Sequence, residues 1–92
     1  MSDITEKHLL ISGRVQGVGF RYFTRKNAQK IGVIGFVKNL PDGDVEVAFR
    51  GSPGQIQHME NLIANGPPGS KVNKIEELEP TGEEFTEFSV RR

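Results

Sequence analysis

The sequence predicts an α+β sandwich, a largely antiparallel sheet with two helices packed on one face. Three observations point there. Strand-patterned and helix-patterned segments alternate in the order strand, helix, strand, strand, helix, strand, with a short extra strand at the end. The two middle strands flank Pro41-Asp42-Gly43, where proline presets φ and Asp-Gly tolerates positive φ, so they pair as a hairpin. Each helical segment runs into a glycine suited to end it, Gly32 or Gly66.

Taken in order, residues 8–15 (HLLISGRV) form the first strand, with Leu9, Ile11 and Val15 sharing one parity. The first helix runs from about Arg21 to Ile31, because Phe20, Phe23, Thr24, Ala28 and Ile31 recur at helical spacing. VIGFVKNL and DVEVAFR are the hairpin strands; in the second, Val45, Val47 and Phe49 alternate with Asp44, Glu46 and Arg50. Ser52 can cap the second helix and Pro53 suits its first turn, while Ile56, Met59, Leu62 and Ile63 form its buried stripe. Asn65-Gly66 and then Pro67-Pro68 stop it. Residues 71–78 (KVNKIEEL) alternate weakly, and residues 85–91 (FTEFSVR) form the closing strand with Phe88 and Val90 on one face. The order is the split βαβ pattern of a ferredoxin-like sandwich, βαββαβ with a short C-terminal strand and an antiparallel or mixed sheet. That architecture hosts RNA binders, metal carriers, regulatory modules and enzymes, so the function has to be read from a site.

At 92 residues the chain has room for one domain, residues 1–92, with a single core. Hydrophobic residues at 35% against 26% charged give a globular balance rather than a disordered one. No apolar run is long enough to span a membrane, and the N-terminal MSDITEKH has acids where a secretory signal has an apolar stretch. Cysteine is absent, which removes disulfides and thiolate chemistry and fits a cytoplasmic setting. Formal net charge is zero, which argues against a nucleic-acid partner for the chain as a whole. The charge is unevenly spread: residues 1–40 hold seven Lys/Arg against Asp3 and Glu6, and residues 76–92 hold six glutamates against Arg91 and Arg92. A small anion near the first half is the ligand this suits.

The segment GRVQGVGFRYF, residues 13–23, concentrates three glycines ahead of Arg21. Two familiar phosphate loops do not fit it. There is no Gly-Lys pair for a P-loop, and the dinucleotide fingerprint begun by Gly17-Val18-Gly19 meets Tyr22 where its third glycine belongs. What remains is a strand-to-helix loop whose N–H groups, from Gln16 to Arg21, can curl around one phosphate-sized group at a helix N-terminus. On this reading the three glycines form a backbone cradle and Arg21 adds a charge-assisted donor. The alternative is a tight connection whose glycines serve geometry only. An arginine at a helix N-terminus opposes the dipole, which counts against that alternative.

GRVQGVGFR resembles the signature of the acylphosphatase family, a glycine-rich VQGV loop followed by FR. A second signature of that family, G-x-V-x-N with a turn and a V-E strand after it, is matched by Gly35-Phe36-Val37-Lys38-Asn39 and then Asp42-Gly43-Asp44-Val45-Glu46. The similarity spans nearly the whole chain, including its closing FSVR, and implies the ferredoxin-like sandwich.

The resemblance implies a hydrolase that cleaves acyl phosphates to carboxylate and inorganic phosphate. It assigns catalysis to Arg21 and Asn39, with the phosphate held by the backbone of Gln16, Gly17, Val18, Gly19, Phe20 and Arg21 and a water oriented by Asn39. It implies no cofactor and no metal, a small-molecule acyl phosphate as the partner, and no nucleic acid or membrane partner; a monomer is the default for a domain of this size. A carboxylate is a good leaving group and phosphoryl transfer asks mainly for positioning and charge stabilisation, so no general base need be evident. The resemblance implies that a substrate phosphate oxygen takes the proton of water. Read from the residues alone, Asn39 before a Pro-Asp-Gly turn is more often a turn-capping residue, and its role as water-positioner rests on the resemblance and the loop. Leu40 stands where some relatives carry threonine.

His8 and His58 lack a second ligand at metal spacing and read as structural or surface residues. Asp42, Asp44 and Glu46 lack EF-hand spacing and belong to the hairpin. Arg25, Lys26 and Lys30 read as a solvated helix face, and Thr24 as packing. An RNA-recognition module needs aromatics on its central strands, and VEVAFR offers one. A domain that binds a small anion without turnover is the remaining alternative. The long hydrogenase-maturation carbamoyltransferases open with a similar domain, but FRYF differs from their FRPF-type continuation, and the stand-alone enzyme is the reading retained.

Overall fold

The computed structural model describes residues 3–92; Met1 and Ser2, the start of the N-terminal stretch considered above, lie outside it. The elements follow the expected order: β1 (Thr5–Arg14), α1 (Phe20–Ile31), β2 (Ile34–Asn39), β3 (Val45–Gly51), α2 (Pro53–Asn65), β4 (Lys71–Leu78) and β5 (Phe88–Arg91). The sheet order is β4-β1-β3-β2-β5. Its first four strands pair antiparallel, and β5 joins β2 in parallel with Gly35 opposite Phe88. The sheet is therefore mixed.

Strand parity builds the core. Leu9 and Ile11 of β1, Val37 of β2, and Val45, Val47 and Phe49 of β3 all turn to the helical side, where they meet Phe20 and Ala28 of α1 and Ile56, Met59 and Ile63 of α2. Truncating a fully buried member such as Phe49 or Met59 to alanine costs about 2–5 kcal/mol. Thr24 is fully buried in the same layer, and its hydroxyl donates to the Phe20 carbonyl at 2.8 Å, so it packs as expected from its place on the apolar face.

Two boundaries differ by three residues from the sequence reading, and the others by one at most. β1 begins at Thr5 rather than residue 8, because the ladder to β3 continues to a Thr5–Gly51 pair. The last strand begins at Phe88 rather than residue 85. Residues 79–87 instead cross the face of the sheet that the helices leave open. They form a belt held from both sides. The Glu6 carboxylate accepts from the Thr81 and Gly82 amides, and His8 Nδ1–H donates to the Glu79 carbonyl at 2.7 Å while its Nε2 lies 2.7 Å from Glu46. Phe85 packs edge-on to Phe36, whose ring also lies 4.0 Å from the Arg91 guanidinium carbon. Arg91 in turn donates two hydrogen bonds to Glu83, and these hold the Glu83 carboxyl below its ordinary pKa. His8 is thus a structural residue, as its isolation in the sequence suggested.

Candidate active site

The N-terminus of α1 is unusual for what it lacks. Its N-cap is Gly19, at φ 78° and ψ 19°, with no side-chain cap and no acid in the first turn. The N–H groups at the start of this helix are therefore left for another acceptor. Gly17 also has a positive φ, 75°, and a Cβ built on either glycine would meet no atom within 4 Å. What requires glycine at these two positions is the left-handed backbone, which costs other residues about 1–2 kcal/mol, rather than crowding. Arg21 follows on the first turn, half-buried, and among the described residues no carboxylate lies within ion-pair distance of it.

Gly13 does not belong to the cradle. It sits in β1 at a bulge against β4, where a Cβ would lie 2.1 Å from the Lys71 carbonyl oxygen. Two of the three glycines thus shape the loop, and the third permits close strand approach.

An open cleft of about 680 Å³ lies between this loop, α1, the end of β2 and β5, and Gly17, Gly19, Phe20, Arg21 and Asn39 all line it. Asn39 reaches it from the last position of β2, where it pairs with Val45 across the hairpin. Its side-chain oxygen is buried and has no hydrogen-bond partner among the described residues. A buried acceptor left this way costs about 1–3 kcal/mol, so the Asn39 amide is not spoken for by the protein. The turn-capping alternative loses support here, since Asp42 Oδ1, not Asn39, accepts from the Asp44 amide in the turn.

Gln16 and Val18 are not among the residues lining the cleft. Val18 packs against the core, and the Gln16 side chain turns to the hairpin, where Nε2 donates to the Leu40 and Asp44 carbonyls at 2.8 Å each. Phe20 has its ring in the core, so its approach to the cleft is through backbone. Arg25, read from sequence as solvated surface, lines the cleft together with Arg92, opposed by the single carboxylate of Glu87. With Arg21 that makes three arginines to one acidic residue among those lining the cleft, a balance that favours an anion. Tyr22 stands at the same cleft 60% exposed, with Lys26 5.9 Å from its ring. The sequence pattern did not disclose Arg92 or Glu87, because their place depends on β5 lying beside β2.

The acylphosphatase family model matches residues 7–90. The chain belongs to the acylphosphatase family. An acylphosphatase of Actinobacillus pleuropneumoniae is 46% identical over 95% of this chain and 98% of its own length. The crystal structure of acylphosphatase from Bacillus subtilis is 37% identical and superposes with a TM-score of 0.89, covering 97% of this chain and 99% of that one. The fold also resembles part of full-length HypF solved with phosphate and nucleotide, at 28% identity and a TM-score of 0.86, where it covers all of this chain and 12% of that one. Family and fold are those expected from the two signatures, and the chain is an acylphosphatase-type hydrolase.

Proposed function

We propose that the chain hydrolyses acyl phosphates by holding the phosphoryl group on the open N-terminus of α1 and Arg21, with Asn39 orienting the attacking water. The observation that carries this is the meeting, in one cleft, of a helix N-terminus without a side-chain cap, an arginine without a carboxylate partner and an asparagine whose buried oxygen is unpartnered, all among the described residues.

The backbone N–H groups of Gly17, Gly19, Phe20 and Arg21 and the Arg21 guanidinium bind the phosphoryl oxygens and neutralise the charge that spreads over them in the transition state. Asn39, a neutral amide, can accept from water through Oδ1 and donate through Nδ2, which fixes the water without deprotonating it. Water oxygen attacks phosphorus as the bond between phosphorus and the acyl oxygen breaks. The electron pair of that bond leaves with the carboxylate. The proton shed by the water passes to a phosphoryl oxygen, so the products are carboxylate and dihydrogen phosphate. Charge stabilisation and alignment are what such a loose transition state needs.

We also read residues 1–92 as one unit acting as a monomer in the cytoplasm, since every group invoked comes from one chain and the sequence contains no cysteine. The test is phosphate release from benzoyl phosphate with EDTA present. Wild type should turn over, and Asn39→Ala should lose about 10²–10³ in rate while still binding inorganic phosphate. Phosphate binding by a folded wild type that releases nothing would overturn the enzyme reading in favour of a non-catalytic anion-binding domain.

A further inference from the structure

We propose that Gln16 is a positioning residue for the hydrolysis, setting the placement of Asn39 relative to the phosphate loop; the inference rests on the assignment of roles just given. The two halves of the site come from different segments. The loop hangs between β1 and α1, and Asn39 ends β2 just before the hairpin turn. The ladder between β1 and β3 stops at the Ile11–Val45 pair, so neither the loop nor the turn is fixed to the other by sheet pairing.

Gln16 spans that gap. Its one amide nitrogen donates at 2.8 Å to the Leu40 carbonyl and at 2.8 Å to the Asp44 carbonyl. The same two carbonyls already close the turn: Gly43 N–H donates to Leu40 O at 3.2 Å, and Leu40 N–H donates to Asp44 O at 2.8 Å. Gln16 thus saturates the neck of the turn one residue beyond Asn39. Carbonyl oxygens only accept, so the amide's NH₂ must face them, and its two hydrogens match two acceptors. A carboxylate of the same shape supplies neither hydrogen, and an apolar side chain of similar length supplies none either.

In-line attack is sensitive to such placement, since a misplacement of about 1 Å can cost about 10²-fold in rate. Gln16→Met should therefore lower kcat by about 10–10²-fold with benzoyl phosphate, while the inhibition constant of inorganic phosphate, which reads the loop alone, changes by less than about threefold. In an Asn39→Ala background the same change should cost nothing more, because the group being positioned is gone. Gln16→Glu should be as impaired at neutral pH and regain activity relative to wild type as the solution is acidified, because a protonated carboxyl restores one of the two donors.

A phosphate inhibition constant that rises in step with the loss of kcat would overturn the proposal, as Gln16 would then be shaping the loop rather than aligning Asn39. Losses that multiply in the double variant would overturn it as well. Should Gln16→Met fail to fold, the Gln16→Glu pH series decides, and a constant ratio to wild type across pH counts against it. Wild type without turnover would remove the parent assignment too, whereas turnover with multiplying losses removes this proposal alone.

Discussion

The two helices of this fold begin in opposite ways. At α2, Ser52 accepts from the Gln55 amide, the Gln55 side chain accepts from the Ser52 amide, and Pro53 removes a donor that would otherwise be orphaned. At α1, Gly19 supplies no cap, no acid follows, and Arg21 adds positive charge to the positive end of the helix dipole. One terminus is satisfied by its own sequence, and the other is left open beside the cleft.

This contrast can be broken at either end. The largest effect belongs to Arg21→Ala, which should cost more than the roughly 10²–10³ in rate typical of losing one preorganised donor, because it also weakens ground-state phosphate binding. Calorimetric titration with phosphate alongside the kinetics checks both parts. Gly19→Ala should come next. It forces alanine to a φ of 78°, at a cost of about 1–2 kcal/mol, and relaxation of that strain should spoil the loop and lower kcat/KM before it unfolds the protein. Thermal melts and kinetics on the same sample separate these.

Ser52→Ala should reverse the pattern, costing about 1 kcal/mol in a urea melt and leaving turnover unaltered. A loss of activity without loss of stability would show that the two termini are not independent. Smallest of all, Glu83→Gln should barely shift the urea midpoint at neutral pH. The Glu83 carboxyl is held below its ordinary pKa by Arg91, so any stability it contributes is present above that ordinary value and fades as pH falls through the lowered one. The difference between wild type and Glu83→Gln should accordingly vanish in acid.

The two starts also differed in how readily the sequence disclosed them. Ser52-Pro53 is a local signal, and so is the alternation of Val45, Val47 and Phe49, because caps and strand parity act within a few residues. The α1 loop was visible through its glycines and the Arg21 that follows, but glycine is ambiguous by itself. Gly13 looks no different from Gly17 in the sequence, yet a side chain at Gly13 would run into the Lys71 carbonyl, whereas at Gly17 only the positive φ demands glycine. Gln16 was legible as part of the loop and illegible as a tie, since its acceptors are backbone carbonyls 24 and 28 residues away, and a carbonyl has no signature. The parallel pairing of β5 with β2, which brings Glu87 and Arg92 to the cleft, follows from a polar crossing with no periodicity to read.

That crossing has a mechanical consequence. Residues 79–87 are fastened at one end to Glu6 and His8 on β1 and at the other to Phe36 and Arg91, with β3 lying between the strands so joined. A short outer strand of four residues would ordinarily fray first and exchange its amide hydrogens fastest. Here β5 is tied through Arg91 to Glu83, in the same crossing that Glu6 and His8 fasten to β1. The wall of the cleft that β5 provides is thereby linked, through that crossing, to a strand on the other side of β2 and β3 in the sheet.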